Sequence, residues 1–259
     1  MKKNKIVTEE ERKLILLDML KEIDAVCKTN NLKYSLAFGT LLGAIRHKGF
    51  IPWDDDLDIM MPLEDMRKLK EVLHSDNIRY CDVDTEPYYE FDFSRIAHNA
   101  TYSKRGRFTR GYGICIDLYP VIRIPRAEKE RDDFFFEAEK IQKRRLSFIK
   151  WNGKIVRNTP FHSIPGFKRS VRALRDYLLK DRGYDDGLYY IVAAPFSRRE
   201  KDTYDFDFFR EIINVEFEGS KYAAISENDY FLKHIYGDYM TPPPLDLQQP
   251  YHFGTFFWK

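Results

Sequence analysis

The sequence predicts an α/β (α+β) fold, a mixed sheet flanked by helices, followed by a mainly helical and basic C-terminal part. Three observations carry that prediction. Short β-prone runs alternate with helix-patterned segments up to about Val121. Beyond Pro125 the pattern changes to long helical stretches rich in Lys and Arg. The 259 residues, 43% hydrophobic and 32% charged, are enough to bury a core in one large or two small domains.

The first element is a helix over Glu9 to Thr29, where Leu14, Leu17, Leu20, Ile23 and Val26 recur between charges and Asn30-Asn31 closes the run. Tyr34 to Phe38 reads as a strand, Gly39-Thr40 as a turn and Leu41 to Arg46 as a short helix. Gly49 and Pro52 punctuate the approach to a second strand through Leu57 to Met61. Pro62, tolerated at a helix start, opens a helix to about His74. Ile78 to Val83, Phe91 to Ile96 and Gly113 to Val121 read as strands. Ala127 to Trp151 and Gly166 to Lys180 read as basic helices joined by a loop, Asn152 to Pro165. Ile212 to Phe217 and Lys221 to Ile225 form a hairpin around Gly219-Ser220, and Glu227 to Tyr236 a helix stopped by Gly237. Residues 1–126 are thus expected as the core and 127–259 as a part packed back on it, the boundary lying near residue 126.

Composition narrows the chemistry. Cys27, Cys81 and Cys115 are odd in number, far apart and without His at ligand spacing, which argues against a disulfide framework or a structural zinc site and fits a reducing cytoplasm. No signal-like apolar region precedes Leu14, and no apolar run is long enough to span a bilayer, so membrane contact is expected to be peripheral. Between Lys140 and Arg182 stand 13 Lys/Arg against Asp176 and Asp181. That imbalance fits either a pair of solvated helices or docking of an anionic partner: a phosphate-rich acceptor or an anionic membrane face. Nucleic acid is not expected, because no recognisable binding motif accompanies the charge.

Most of the chemistry sits in Phe38 to Met61. Asp54, Asp55, Asp56 and Asp58 fall within five positions, shortly after Gly39-Thr40 and the Arg46-His47-Lys48 cluster. Like charges this close oppose folding unless cations or donors answer them. On an extended chain Asp54, Asp56 and Asp58 share one face, while Asp55, Leu57 and Ile59 share the other. Oxygen-only ligands suit Mg²⁺ or Mn²⁺. A calcium loop shares the Asp-x-Asp-x-Asp spacing, but its turn glycine is replaced here by Ile59. Gly39 and Thr40, at a strand-to-helix junction, are candidates to cradle a phosphate. Arg46 and Lys48 are candidates to neutralise a diphosphate. Trp53 either stacks on a base or closes the core. Asp117, ending a β-prone run, is the candidate third acid, as base or as metal ligand. Asp55 is the acid expected to be dispensable.

Three blocks together resemble the LicD family of phosphocholine and polyol-phosphate transferases, related to the fukutin group. The first runs from Tyr34 through Phe38-Gly39-Thr40 to Arg46 and on to Ile51-Pro52-Trp53-Asp54-Asp55-Asp56-Leu57-Asp58. The second is Ile116-Asp117-Leu118-Tyr119-Pro120, and a looser third is Tyr236-Gly237-Asp238-Tyr239-Met240 with the prolines that follow. The resemblance implies a nucleotidyltransferase-like fold, a CDP-linked donor, Mg²⁺ dependence and transfer of phosphocholine or a related alcohol phosphate to a cell-surface glycan, with release of CMP. Carried over, Asp56 and Asp58 match the metal-binding pair, Asp54 the preceding acid and Asp117 the third. The chain lacks the cysteine-zinc insertion of some eukaryotic relatives. The expected setting is the cytoplasm, with peripheral contact at the inner membrane face, where a lipid-linked glycan acceptor would be met. Two rival readings use the same residues: a nucleotidyltransferase releasing pyrophosphate from a nucleoside triphosphate, and a non-catalytic glycan-binding protein on the same fold.

Overall fold

The computed structural model describes residues 5–86, 89–105, 109–147, 150–151, 154–155, 165–193, 198–249 and 255–259. Helix α1 (Glu9–Thr29) opens with a capping box in which Thr8 and Glu11 satisfy each other's backbone N–H groups. Its buried face is Ile15, Leu16, Met19, Leu20, Ile23 and Cys27, while Leu14 is exposed. The stripe expected from the sequence steps by three residues, and each such step falls about 60° short of a full turn. Leu14 and Val26 therefore drift off the face that Leu20 and Ile23 occupy.

Strand β1 (Ser35–Leu36) runs through Ala37 directly into helix α2 (Phe38–His47). The helix starts earlier than expected, so Gly39 and Thr40 lie in its first turn and not in a turn before it. Then come β2 (Asp58–Pro62), α3 (Leu63–Val72), β3 (Ile78–Cys81), β4 (Ser94–His98), β5 (Thr101–Arg105), β6 (Thr109–Gly111) and β7 (Cys115–Ile124). The later part carries α4 (Glu128–Ser147), β8 (Lys150–Trp151), β9 (Lys154–Ile155), α5 (Pro165–Leu178), β10 (Leu188–Ile191) and β11 (Thr203–Tyr204). It ends with β12 (Ile212–Phe217), β13 (Ser220–Ile225), α6 (Asn228–Tyr236) and β14 (Phe256–Trp258). Residues 152, 153 and 156–164 of the expected loop between the two basic helices lie outside the described residues. The C-terminal part holds both expected helices, of which α5 is basic while α4 carries six acids against six Lys/Arg, its positive charge gathered in its last turns. It also holds strands that the sequence pattern does not announce.

The main sheet is mixed and centred on β7. One edge of β7 carries β2 in parallel over 117–121; the other carries β4 over 115–118 and β10 over 121–124, both antiparallel. Strand β1 flanks β2, β3 flanks β4 and β11 flanks β10. The hairpin β12–β13 is tied to β1 where Ser35 Oγ accepts the Ile225 N–H at 3.0 Å. One core runs through Leu20, Leu41, Ile59 and Leu118 to Phe217 and Phe231, so it draws on both parts of the chain. Among the described residues, no helix is long and apolar enough to cross a membrane. All three cysteines are free.

Candidate active site

The acidic segment is built by two short elements and the chain between them. Strand β2 starts only at Asp58, and residues 54–57 lie outside it, although the Leu57 carbonyl accepts the Asp117 N–H of β7 at 3.0 Å. Their backbone still alternates: Asp54, Asp56 and Asp58 line a cavity of about 1090 Å³, while Asp55 and Leu57 are buried. Asp55 meets Arg12 of α1 at 2.5 Å, with side chains only 2% and 13% exposed. The acid expected to be dispensable is thus half of a buried ion pair, because its side of the extended segment faces α1. Carboxylate oxygens of Asp54, Asp55 and Asp56 come within 4.8 Å of one another. Burial, then the neighbouring Asp56 carboxylate, pushes the Asp54 carboxyl up to about 7. An all-oxygen donor set fits a hard divalent cation such as Mg²⁺ or Mn²⁺.

Strand register sets the rest of this wall. Asp117 stands beside Asp58 on one side and beside Arg95 on the other, across β2, β7 and β4. Residues opposite one another on neighbouring strands project to the same face. Arg95 grips Asp117 with both prongs, Nε to Oδ1 at 2.6 Å and Nη2 to Oδ2 at 3.0 Å. Its guanidinium lies 3.9 Å above the Phe91 ring, and Tyr112 accepts a third bond at 3.1 Å. Tyr119, which donates to Asp117 at 3.3 Å, meets the Phe38 ring edge-on at 5.1 Å. Phe38 holds φ at 41°, a conformation unusual for a bulky residue, at the point where the chain turns from β1 into α2.

The other sequence candidates are distributed around this wall. Gly39 lines the cavity, and a Cβ there would stand 2.8 Å from Asp54 Oδ2, so the carboxylate packs against a bare Cα. Thr40 is buried outside the cavity lining, and its hydroxyl accepts the Asp58 N–H at 2.8 Å, fixing the start of β2. Arg46 lines the cavity, lowered in pKa by burial, and donates to the Tyr239 carbonyl at 2.6 Å. Lys48 caps α2 in a left-handed conformation and lies outside the lining; its carbonyl accepts the Glu218 N–H. Trp53 lines the cavity with its ring edge-on to His47. The C-terminal part adds Arg198, Lys201, Tyr236 and Asp238. Burial raises the Tyr236 hydroxyl, then Asp58 and Asp54 raise it further, while Arg198 acts the opposite way. Acids and arginine therefore both act on this one tyrosine.

With that geometry in view, the comparison with known families is decisive. Residues 31–169 match the model described as the LicD/FKTN/FKRP nucleotidyltransferase domain, more than half of the chain. The chain belongs to the LicD/FKTN/FKRP family. It is 26% identical over 264 aligned positions to the lipopolysaccharide cholinephosphotransferase LicD of Haemophilus influenzae, covering 96% of this chain and 97% of that one. An uncharacterised protein of Rickettsia typhi is 31% identical over 62% of this chain and 46% of its own length. A third relative, from Rickettsia prowazekii and also uncharacterised, is 30% identical over 49% and 38% respectively.

Within the LicD-type match lie the acids and Arg95; beyond it lie Arg198, Lys201 and Tyr236. Sequence reasoning missed Arg95, Arg198 and Lys201. Arg95 is one charge in a short strand, and only its register against β7 reveals its partner. Arg198 and Lys201 sit in a short irregular segment before β11, where no periodicity marks a face. Asp202, next to them, is wholly buried, and burial pushes its carboxyl up to about 6.

Proposed function

We propose that this LicD-type phosphotransferase moves phosphocholine, or a related alcohol phosphate, from a CDP-linked donor to a hydroxyl of a cell-surface glycan or teichoic-acid-type acceptor, releasing CMP. One observation carries the reading: Asp54, Asp56, Asp58 and Asp117 converge on a single cavity that also displays Arg46, Arg198 and Lys201. Carboxylates for a cation beside cations for phosphate are what in-line displacement at phosphorus requires. The cavity, about 1090 Å³, lies at the upper end of the roughly 300–1,000 Å³ of ligand pockets, room for a nucleotide-linked donor.

Asp56 and Asp58, with Asp54 beside them, would hold Mg²⁺ or Mn²⁺; the bound ion would offset charge on the diphosphate oxygens and on the departing CMP. Thr40 keeps Asp58 at the strand start, and Arg95 holds both oxygens of Asp117 in one orientation. That grip favours Asp117 as a fixed oxygen ligand over a base that must swing toward the acceptor hydroxyl. A carboxylate of the same wall accepts the hydroxyl proton as oxygen attacks the distal phosphorus. Arg46 and Gly39 border the space left for the donor, and Trp53 offers a ring to its base.

In this reading the acceptor glycan is met at the cytoplasmic face of the inner membrane, where a lipid-linked form of it would be presented. Peripheral contact is supported by α4, where Phe136, largely exposed, shares a shallow surface with Lys140, Lys143 and Arg144. The test is a screen of CDP-choline, CDP-ribitol and CDP-glycerol with Mg²⁺ and glycan acceptors, reading CMP. Release of CMP with one donor is expected, and loss of at least about 10²-fold in the Asp56→Asn, Asp58→Asn double variant. Pyrophosphate release from a nucleoside triphosphate, with every CDP-linked donor left intact, would overturn the proposal.

A further inference from the structure

We infer that Arg198 and Lys201 form a phosphate-binding pair, oriented by the buried Asp202, that takes a phosphate group of the substrate inside the cavity. The inference rests on the phosphotransferase reading of that cavity and extends it to residues outside the 31–169 match by which the family is identified. Both cations line the cavity. The Arg198 side chain is 43% exposed, so a ligand can reach it. Lys201 lines the cavity and makes no ion pair among the described residues.

The other basic candidates have less to offer. Arg46 already donates to the Tyr239 carbonyl, and Lys48 does not line the cavity. Asp202 explains why Arg198 stays where it does. It is 0% exposed, and neither carboxylate oxygen has a hydrogen-bond partner. Arg198, at 3.6 Å and four residues before it, is its ion-pair partner. A buried carboxylate without hydrogen bonds is held in place by the cation that answers it. The guanidinium has five N–H donors, so one side facing Asp202 leaves others for phosphate oxygens. Arg198, Lys201 and Tyr236 line the same cavity as Asp54, Asp56, Asp58 and Asp117. A phosphate here would thus lie in the same chamber as the carboxylates.

The experiment measures calorimetric binding of inorganic pyrophosphate and of CDP-choline to the full chain, together with donor and acceptor KM. The variants are Arg198→Ala with Lys201→Met, each single change, Arg198→Lys and Asp202→Asn. The double variant should weaken pyrophosphate binding by about 10–100-fold, as expected for loss of charged hydrogen bonds. Arg198→Ala, which leaves the buried Asp202 without its cation, should also lower the melting temperature, whereas Lys201→Met should weaken binding and leave it unchanged. Arg198→Lys should recover part of that loss. Asp202→Asn should raise a substrate KM several-fold with kcat nearly kept; a purely structural role would lower kcat and melting temperature together. A rise in donor KM assigns the phosphate to the donor, a rise in acceptor KM to the acceptor. Pyrophosphate bound by a folded double variant as tightly as by the parent would sink the pair and leave the transferase reading intact. Should the double variant fail to fold, the same result with Lys201→Met and Arg198→Lys would sink it equally. Parent protein that binds pyrophosphate through these residues but ignores every CDP-linked donor would instead sink the transferase reading and leave the pair.

Discussion

Asp55 and Arg12 face each other at 2.5 Å with almost no solvent around them, so deleting one leaves the other as an uncompensated buried charge. Breaking such a pair from one side costs about 3–5 kcal/mol. Asp55→Ala should lower the unfolding free energy by that amount in urea denaturation. A loss below about 1 kcal/mol, the range of exposed pairs, would mean that Arg12 reaches water on its own. Gly39 offers the opposite test, of function without stability. Alanine is favoured over glycine by about 0.5–1 kcal/mol only well inside a helix, and Gly39 lies in the first turn of α2, so little stability is at stake. The new Cβ, however, would stand 2.8 Å from Asp54 Oδ2. The flexible carboxylate has to move, and with it one member of the acid cluster. Gly39→Ala is expected to keep its melting temperature while CMP release falls at least tenfold. Undiminished turnover by the folded variant would show that Asp54 tolerates displacement.

At the scale of elements, the site depends on how three strands are aligned. Arg95, Asp117 and Asp58 are neighbours only because β4, β7 and β2 pair in the register they do. Arg95→Lys keeps the charge but loses the two-pronged grip. By analogy with groups that orient metal ligands, activity should drop about 10–100-fold while circular dichroism and melting stay near the parent. Loss of fold in that variant would assign Arg95 to the core instead. This row also shows what a sequence reveals and what it hides. The common facing of Asp54, Asp56 and Asp58 was legible because alternation belongs to any extended backbone, even at 54–57 where no strand forms. The hairpin β12–β13 and the stop of α6 at Gly237 were legible because turn glycines punctuate them locally. Arg95 was not, since pairing between distant strands leaves no local trace. Strands β10 and β11 were hidden in the same way, being short and defined by pairing, β10 with β7 and β11 with β10. Arg198 and Lys201 became visible only when folding brought that segment to the cavity.

For the whole molecule, a core shared by both parts of the chain couples the state of the site to global stability. Asp54 makes that coupling measurable. Its carboxyl, ordinarily at 3.8, is pushed up to about 7 by burial and by Asp56. Between those values the folded chain holds a proton that the unfolded chain has released, so stability falls as pH rises from about 4 to about 7 and stays reduced above. Asp202, raised to about 6 by its own burial, contributes with the same sign. A divalent cation on the acid cluster answers the charge that deprotonation exposes. It should therefore stabilise the protein strongly at pH 8 and hardly at all at pH 5, where the proton competes for the same oxygens. At a hundred times its Kd the ion would add about 2.7 kcal/mol, or roughly 5–10 °C of melting temperature for a chain of this size. Melting curves with Mg²⁺, Mn²⁺ or EDTA at both pH values test this, and Asp54→Asn separates Asp54 from Asp202. The asparagine variant should keep the pH-dependent slope due to Asp202 and lose most of the gain from metal at pH 8. Equal stabilisation at both pH values, or none in the parent at pH 8, would remove Asp54 from the cation site.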